Sequence, residues 1–242
     1  MTFDPPLQAP AIRLCAFDAY GTLFDVHSAV CRHASAIEPA ADELSRLWRT
    51  KQLEYTWVRS LMRRHADFQA CTAAALDFAM ASHGLQDAGL RRALLDAYLA
   101  LDAYPEVPGV LAALRRAGMV TAILSNGTPA MLQGAIVSAK LAGLFDACLS
   151  VEGCGIYKPD PRVYRLVTDR FGLGPAEVSF LSSNAWDIAG ARAFGFHTAW
   201  INRTGQPDEY GLRGAVAELD SLAGLPALLA VPPGAAASTQ SM

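Results

Sequence analysis

The sequence predicts an α/β protein, a parallel sheet covered by helices and interrupted early by an all-helical insertion. Two observations carry this. Through the second half of the chain, short apolar runs alternate with helical patterns, as strands of a parallel sheet do when helices connect them. From His27 to Tyr104, by contrast, apolar residues recur at helical spacing only.

The first strand is Leu14-Cys15-Ala16-Phe17, closed by Asp18 and followed by a turn on Gly21. Within the insertion, Leu44, Leu47, Trp48, Tyr55, Val58 and Met62 mark the apolar face of one amphipathic helix. An Ala-rich helix from Phe68 to His83 ends at Gly84, and Leu90, Ala93, Leu94, Ala97 and Leu101 mark another. Pro105 and Pro108-Gly109 return the chain to the sheet, whose further strands read as Met119 to Leu124, Ala147 to Ser150, Val178 to Ser182 and Thr198 to Ile201. Thr128-Pro129 and Asp160-Pro161 open helices, and Gly172 and Gly195 stand where helix-ending glycines belong. These strands form one Rossmann-like layer. The expected division is a core of 11–25 and 105–230, a helical cap of 26–104, and flexible ends at 1–10 and 231–242, the latter beginning near Pro232-Pro233-Gly234.

The 242 residues are enough for one sizeable core plus a smaller helical unit. A net charge of -3 with 18% charged residues gives no electrostatic footprint for nucleic acid or a membrane surface, so an anionic ligand must be held by local groups. Cys15, Cys31, Cys71, Cys148 and Cys154 form no CxxC pair, which fits reduced thiols better than a disulfide framework or zinc site. The N-terminus has no basic segment leading into an apolar one, and no stretch reaches the ~18 apolar residues of a membrane span. A cytoplasmic protein without nucleic-acid or membrane partners is expected.

Four segments end strands at what should be one edge of the sheet, where open α/β sheets bind ligands. They are Asp18 to Thr22, Ser125-Asn126-Gly127, Tyr157-Lys158-Pro159, and Ser182-Ser183-Asn184-Ala185-Trp186-Asp187. Singly, each has a plain structural explanation: Asp18 as a turn residue, Ser125 or Thr128 as a helix cap, Lys158 as a solvated charge, Asp187 as a first-turn acid facing a helix dipole. Their joint occurrence in this order points to chemistry.

That order, nucleophilic Asp, Ser/Thr, Lys, then an acid, resembles the haloacid dehalogenase superfamily. The stretches AFDAYGTLFDVHS, WRTKQLEYTWVRSLM, ILSNGTP, YKPDPRVY and SSNAWD narrow the resemblance to the L-2-haloacid dehalogenases. Tyr20 supports the narrower reading, because the superfamily's phosphatases carry a second Asp there to protonate the leaving oxygen, whereas a departing halide needs no proton.

The resemblance implies roles. Asp18 attacks the halogen-bearing carbon in line, forming an aspartyl ester with inversion. Arg49, from the cap, and Asn126 meet the leaving halide, since preorganised donors best stabilise a charge that grows. Ser125 and backbone amides of the Asp18 turn take the substrate carboxylate, and Thr22 shapes the nucleophile loop. Lys158 orients Asp18 and offsets the second carboxylate, whose repulsion at 4 Å in an effective dielectric near 20 is about 4 kcal/mol. Asp187, with Asn184 and Ser182, positions and deprotonates the water that cleaves the ester. Tyr20, Leu53, Phe68 and Trp186 line the pocket, each with ordinary core packing as the alternative. Tyr164 is expected to buttress Lys158. The resemblance further implies a small-molecule 2-haloacid substrate and a homodimer, with Leu61, Met62 and Phe78 as candidate apolar contacts, which a buried face within the chain would explain equally well.

No cofactor and no metal are expected, because SSNAWD puts Ser and Asn where metal-binding acids often cluster, and Asp18 with Asp187 alone suits an octahedral hard cation poorly. His27, His33, His65, His83 and His197 show no HxxxH spacing. Gly153-Cys154-Gly155-Ile156, ahead of Lys158, reads as more flexible than the resemblance leads one to expect. Two rival readings share the fold: a phosphatase acting on a small phosphate ester, against which Tyr20 argues, and a silent binding protein, against which Asp18, Lys158 and Asp187 together argue.

Overall fold

The computed structural model describes residues 12–231. The expected flexible ends, 1–10 and 231–242, fall outside the described residues except for Val231, whose N–H donates to the Pro226 carbonyl.

Six parallel strands form one sheet in the order β3-β2-β1-β4-β5-β6: β1 (Leu14–Phe17), β2 (Val120–Ser125), β3 (Ala147–Ser150), β4 (Val178–Ser182), β5 (His197–Ile201) and β6 (Ala217–Leu219). Every residue of β1 is fully buried, as a central parallel strand covered on both faces requires. The chain leaves β1 for β2 on one side and later returns to β4 on the other, so β1 sits where the strand order reverses. Connections diverge at such a point and open a crevice at the strands' C-terminal ends. Phe17 pairs with Ile123 and Leu181, which brings the next residue, Asp18, level with the ends of both neighbours.

Nine helices accompany the sheet among the described residues: α1 (Ser28–Cys31), α2 (Ala41–Met62), α3 (Phe68–Ser82), α4 (Ala88–Tyr98), α5 (Val107–Arg116), α6 (Pro129–Ser138), α7 (Pro161–Phe171), α8 (Ala185–Phe194) and α9 (Leu225–Leu228). Thr128 and Asp160 cap α6 and α7 with side-chain oxygens, and Gly172 and Gly195 end α7 and α8 with positive φ, as their sequence positions imply. Helices α1 to α4 lie between two adjacent strands of the core. The links to them run side by side: the Asp25 N–H donates to the Asp102 carbonyl and the Tyr104 N–H to the Leu23 carbonyl.

Several local expectations are corrected. β2 begins and ends one residue later than the apolar run suggests, and β5 begins one residue earlier. Strand β6 and helix α9, three and four residues long, are too short to stand out. The largest correction is in α2, where Val58 and Met62 are exposed and the buried stripe is Leu44, Trp48, Gln52 and Thr56, with Ser45 beside it. These four recur at i, i+4 spacing, one helical face, but its second half is polar. No helix of the described residues is long and apolar enough to cross a membrane.

Candidate active site

Asp18 stands at the tip of β1, its N–H donating to the Leu181 carbonyl of β4 at 2.9 Å. Its two carboxylate oxygens have different surroundings. Oδ1 accepts from Lys158 Nζ at 3.1 Å, whereas Oδ2 accepts from Asn184 Nδ2 at 2.8 Å, Thr22 Oγ1 at 3.1 Å and Ser182 Oγ at 3.4 Å. The Ser183 N–H donates to Thr22 Oγ1 at 2.9 Å and the Asn184 N–H to Ser182 Oγ at 3.1 Å, and each hydroxyl has a proton to donate toward Asp18; Thr22 Oγ1 also lies 3.2 Å from Ser183 Oγ.

Lys158 is fully buried and bridges two acids, with Nζ 3.1 Å from Asp18 and 2.7 Å from Asp187; the Phe180 ring face lies 4.9 Å away. Two carboxylates and one ammonium leave one net negative charge in a water-poor site, which donors on Asp18 Oδ2 and Asp187 Oδ1 help the structure tolerate. The Asp187 carboxyl is pushed up to about 6, mainly by burial, with the Lys158 charge opposing the rise and the Asp18 carboxylate adding to it. Tyr164 corrects an expectation. Its hydroxyl lies 2.7 Å from Asp187 Oδ1 and 3.1 Å from the Asp187 carbonyl, so it supports the acid rather than Lys158. Gly190 makes this possible, since a Cβ there would sit 2.5 Å from the Tyr164 hydroxyl. The Gly153-Cys154-Gly155-Ile156 segment is drawn together by the Cys154 and Gly155 N–H groups on the Val151 carbonyl, and Lys158 reaches both acids from it.

From α2, Arg49 reaches the same place: Nη2 donates to the Tyr20 carbonyl at 3.1 Å and to Asn184 Oδ1 at 3.4 Å. Asn126 accepts the Lys158 N–H on Oδ1 at 3.1 Å, which turns its donor side away from that loop. Ser125 does not cap α6, a task Thr128 performs; its Oγ accepts the Gly127 N–H at 3.1 Å and keeps its own proton free. The N–H groups of Ala19 and Tyr20 have no acceptor among the described residues. The Tyr20 ring packs against Phe68 and Tyr98 at centroid distances of 5.3 and 5.6 Å, with its hydroxyl buried and unpartnered among the described residues.

The sequence pattern of the hydrolase family described as haloacid dehalogenase-like hydrolase matches residues 12–195, more than half of the chain. This chain belongs to the haloacid dehalogenase-like hydrolases. It is 54% identical over 219 residues to (S)-2-haloacid dehalogenase 1 of Pseudomonas sp. (strain CBS-3), covering 90% of this chain and 96% of that one. Among solved structures, a dehalogenase with intermediate complex superposes with a TM-score of 0.90 at 48% identity, over 93% of this chain and all of the other. The L-2-haloacid dehalogenase from Xanthobacter autotrophicus with chloropropionic acid covalently bound gives 0.80 at 36% identity, over 90% and 98% of the two chains.

Haloacid dehalogenase-like phosphatases hold magnesium through the nucleophilic Asp, the carbonyl two residues later and an acid of the last motif. Here those oxygens already have donors: the Tyr20 carbonyl faces Arg49 and Asn184, and Asp187 Oδ2 faces the Lys158 ammonium. A hard dication does not fit a place already held by two cationic side chains.

Not every expected pocket residue joins this group. Phe68 is buried against Tyr20, and Trp186 meets Trp57 edge-on at 5.4 Å. Leu53 is half-buried a turn beyond Arg49 and lines neither of the two clefts that Trp186 borders. One of these, about 330 Å³ between Arg49, Asn184, Tyr104 and Arg203, stops short of Asp18, which is only 5% exposed. Two contributors escape sequence reasoning. Gln52 receives Arg49 Nη1 at 2.8 Å, and Arg203 donates to the Thr22 carbonyl at 2.9 Å while pairing with Glu106 at 2.7 Å. Gln52 was detectable as the i+4 continuation of Leu44 and Trp48; Arg203 follows β5 in a segment without a motif.

Proposed function

We propose that the protein hydrolyses short-chain L-2-haloalkanoic acids to D-2-hydroxyacids and halide, through an ester on Asp18. The observation that carries this reading is a fully armed nucleophile with no carboxylic acid two residues on: Asp18 has four side-chain donors, while Tyr20 offers an aromatic wall. Residues 11–25 with 105–230 then act as the catalytic core and 26–104 as the cap.

Oδ1, with a single donor, has a lone pair to spare and attacks C2. The new C–O bond forms as the carbon–halogen bond breaks, and the halide leaves with the bonding pair toward Arg49 and Asn126. Ser125 with the Ala19 and Tyr20 amides receives the substrate carboxylate, and Tyr20, Phe68 and Trp186 surround the rest. Water deprotonated by Asp187 then attacks Cγ of Asp18. Negative charge develops on Oδ2, where Asn184, Thr22 and Ser182 already point, and collapse breaks the Cγ–Oδ1 bond; the departing alkoxide takes a proton from the adjacent Lys158 ammonium, which the protonated Asp187 restores. The stereocentre inverts once, at the first step only.

Halide release from L- and D-2-chloropropionate, with and without chelator, tests this. Chloride and D-lactate are expected from the L-enantiomer alone, at a rate unmoved by chelation. Single turnover in ¹⁸O-water should label Asp18 and leave the product unlabelled. Equal use of both enantiomers, label in the first-turnover product, or stimulation by magnesium would each overturn the mechanism, the last in favour of a phosphatase. We further infer a homodimer, because Leu61 is 84% exposed on α2 with Val58 and Met62 beside it and Phe78 on α3; equilibrium sedimentation of a Leu61→Asp variant should shift toward monomer.

A further inference from the structure

Arg49 makes no ion pair among the described residues. Its guanidinium is held by neutral acceptors only: Gln52 Oε1 at 2.8 Å, the Tyr20 carbonyl at 3.1 Å and Asn184 Oδ1 at 3.4 Å. Gln52 is 1% exposed, and its amide can face only one way. The Thr72 hydroxyl donates to the Phe68 carbonyl at 2.7 Å, so it offers Gln52 an acceptor and takes Nε2 at 2.6 Å. Oε1 is thereby turned to two donors, Arg49 Nη1 and the Tyr98 hydroxyl at 3.1 Å. Trp48 Nε1 fixes the same turn of α3 by donating to the Thr72 carbonyl at 2.9 Å, and the Tyr98 ring stacks on Tyr20 at 5.6 Å. A continuous, uncharged chain of hydrogen bonds thus runs from α3 through Gln52 to Arg49.

We propose that Gln52 is a positioning residue that fixes the direction of the Arg49 guanidinium while leaving its charge unspent for the departing halide. This rests on the reading of Arg49 as the halide's donor. An acid at position 52 would have the same shape and would hold the guanidinium equally well, but it would neutralise the cation before any anion forms. An apolar side chain would leave the charge free and the guanidinium loose. Catalysis by a developing charge needs both direction and free charge, and a neutral buried amide supplies both.

Gln52→Glu, Gln52→Met, Arg49→Ala and the double variant Arg49→Ala/Gln52→Glu test this in the full-length enzyme. Readouts are kcat and KM for L-2-chloropropionate, inhibition by added bromide, and the thermal midpoint. Neutralising Arg49 forfeits about the worth of one hydrogen bond between the guanidinium and the charged halide, about ten- to hundredfold in rate. Gln52→Glu is expected to lose that much in kcat with KM little changed, and to resist bromide inhibition. Gln52→Met should lose less, and the double variant should be no slower than Arg49→Ala alone. If Gln52→Glu unfolds, the same kcat-without-KM loss in Gln52→Met carries the test. Wild-type kcat in either folded Gln52 variant, or losses that multiply in the double variant, would overturn the role of Gln52. Normal turnover in Arg49→Ala would instead sink the halide reading on which it stands.

Discussion

On the sheet side of the site Lys158 lies between Asp18 and Asp187, so every charge there has an opposite within 3.1 Å. On the helical side Arg49 is received by an amide, a carbonyl and a second amide, with no carboxylate among them. The two regions solve different problems. Charges that must persist in the resting, buried site are paired, because an unpaired buried charge costs several kcal/mol. The Arg49 charge, which we propose meets the departing halide, is held by groups that orient it and do not cancel it.

Breaking the core pairing should have the largest effect. Lys158→Met leaves two carboxylates in one dry site, an expected loss of about 3–5 kcal/mol in stability along with all measurable turnover. The destabilisation should grow with pH, since both acids must then be ionised; urea denaturation at pH 5 and pH 8 checks this. Equal losses at the two pH values would mean that Lys158 matters for packing and not for charge.

Breaking the cap's contribution should separate activity from folding. Arg49→Ala removes one preorganised donor from a developing anion, about 10² to 10³ in rate, while the fold loses charge-assisted hydrogen bonds to neutral acceptors and no ion pair, about 1.5–3 kcal/mol. Halide-burst kinetics with matched thermal melts would show whether the two effects divide in this way.

A third, smaller effect sharpens the contrast by titration. Asp187 must be ionised to take a proton from water, and its carboxyl stands at about 6, so ester hydrolysis should fall toward tenfold per pH unit below that value. Its link to stability has the opposite sign. The folded state holds the proton more tightly than the unfolded chain, whose value is near 3.8, so this group favours the fold most below 3.8 and loses that contribution as pH rises through 6. Rapid-quench measurement of the Asp18 ester between pH 4.5 and 7.5 should find it accumulating on the acid side. A flat profile would remove Asp187 from the hydrolytic step.

The same contrast explains what the sequence makes legible. Core site residues follow strand ends at fixed offsets, so Asp18, Ser125, Lys158 and Asp187 can be read as motifs once the apolar runs are found. The cap's site depends on which helical face is buried. There, hydrophobic pattern misleads: Val58 and Met62 look internal and are exposed, whereas Gln52 and Thr56 look external and are buried. A buried polar stripe has no hydrophobic signal, because hydrogen bonding rather than transfer from water decides its place. Tyr164 shows a related limit. Sequence puts it one turn from the lysine loop, but whether it meets Lys158 or Asp187 depends on the close approach that Gly190 permits between α7 and α8.

The smallest expected effect concerns two neighbouring hydroxyls that the sequence offers equally as caps for α6. Thr128 accepts the Met131 N–H at 3.2 Å and Ser125 accepts the Gly127 N–H at 3.1 Å, so removing either oxygen leaves one backbone donor unmet. Each alanine variant should therefore lose about 1 kcal/mol in stability. Kinetics should tell them apart. The Thr128 proton is on the surface side of a helix start, outside the Asp18 group, and Thr128→Ala should turn over normally. Ser125 is fully buried at the end of β2 with its proton free for the substrate carboxylate, so Ser125→Ala should raise KM about tenfold, the worth of one hydrogen bond to a charged group, with a smaller change in kcat. Equal KM values in the two variants would mean that Ser125 serves only to hold Gly127, and that the backbone amides of Ala19 and Tyr20 bind the carboxylate without it.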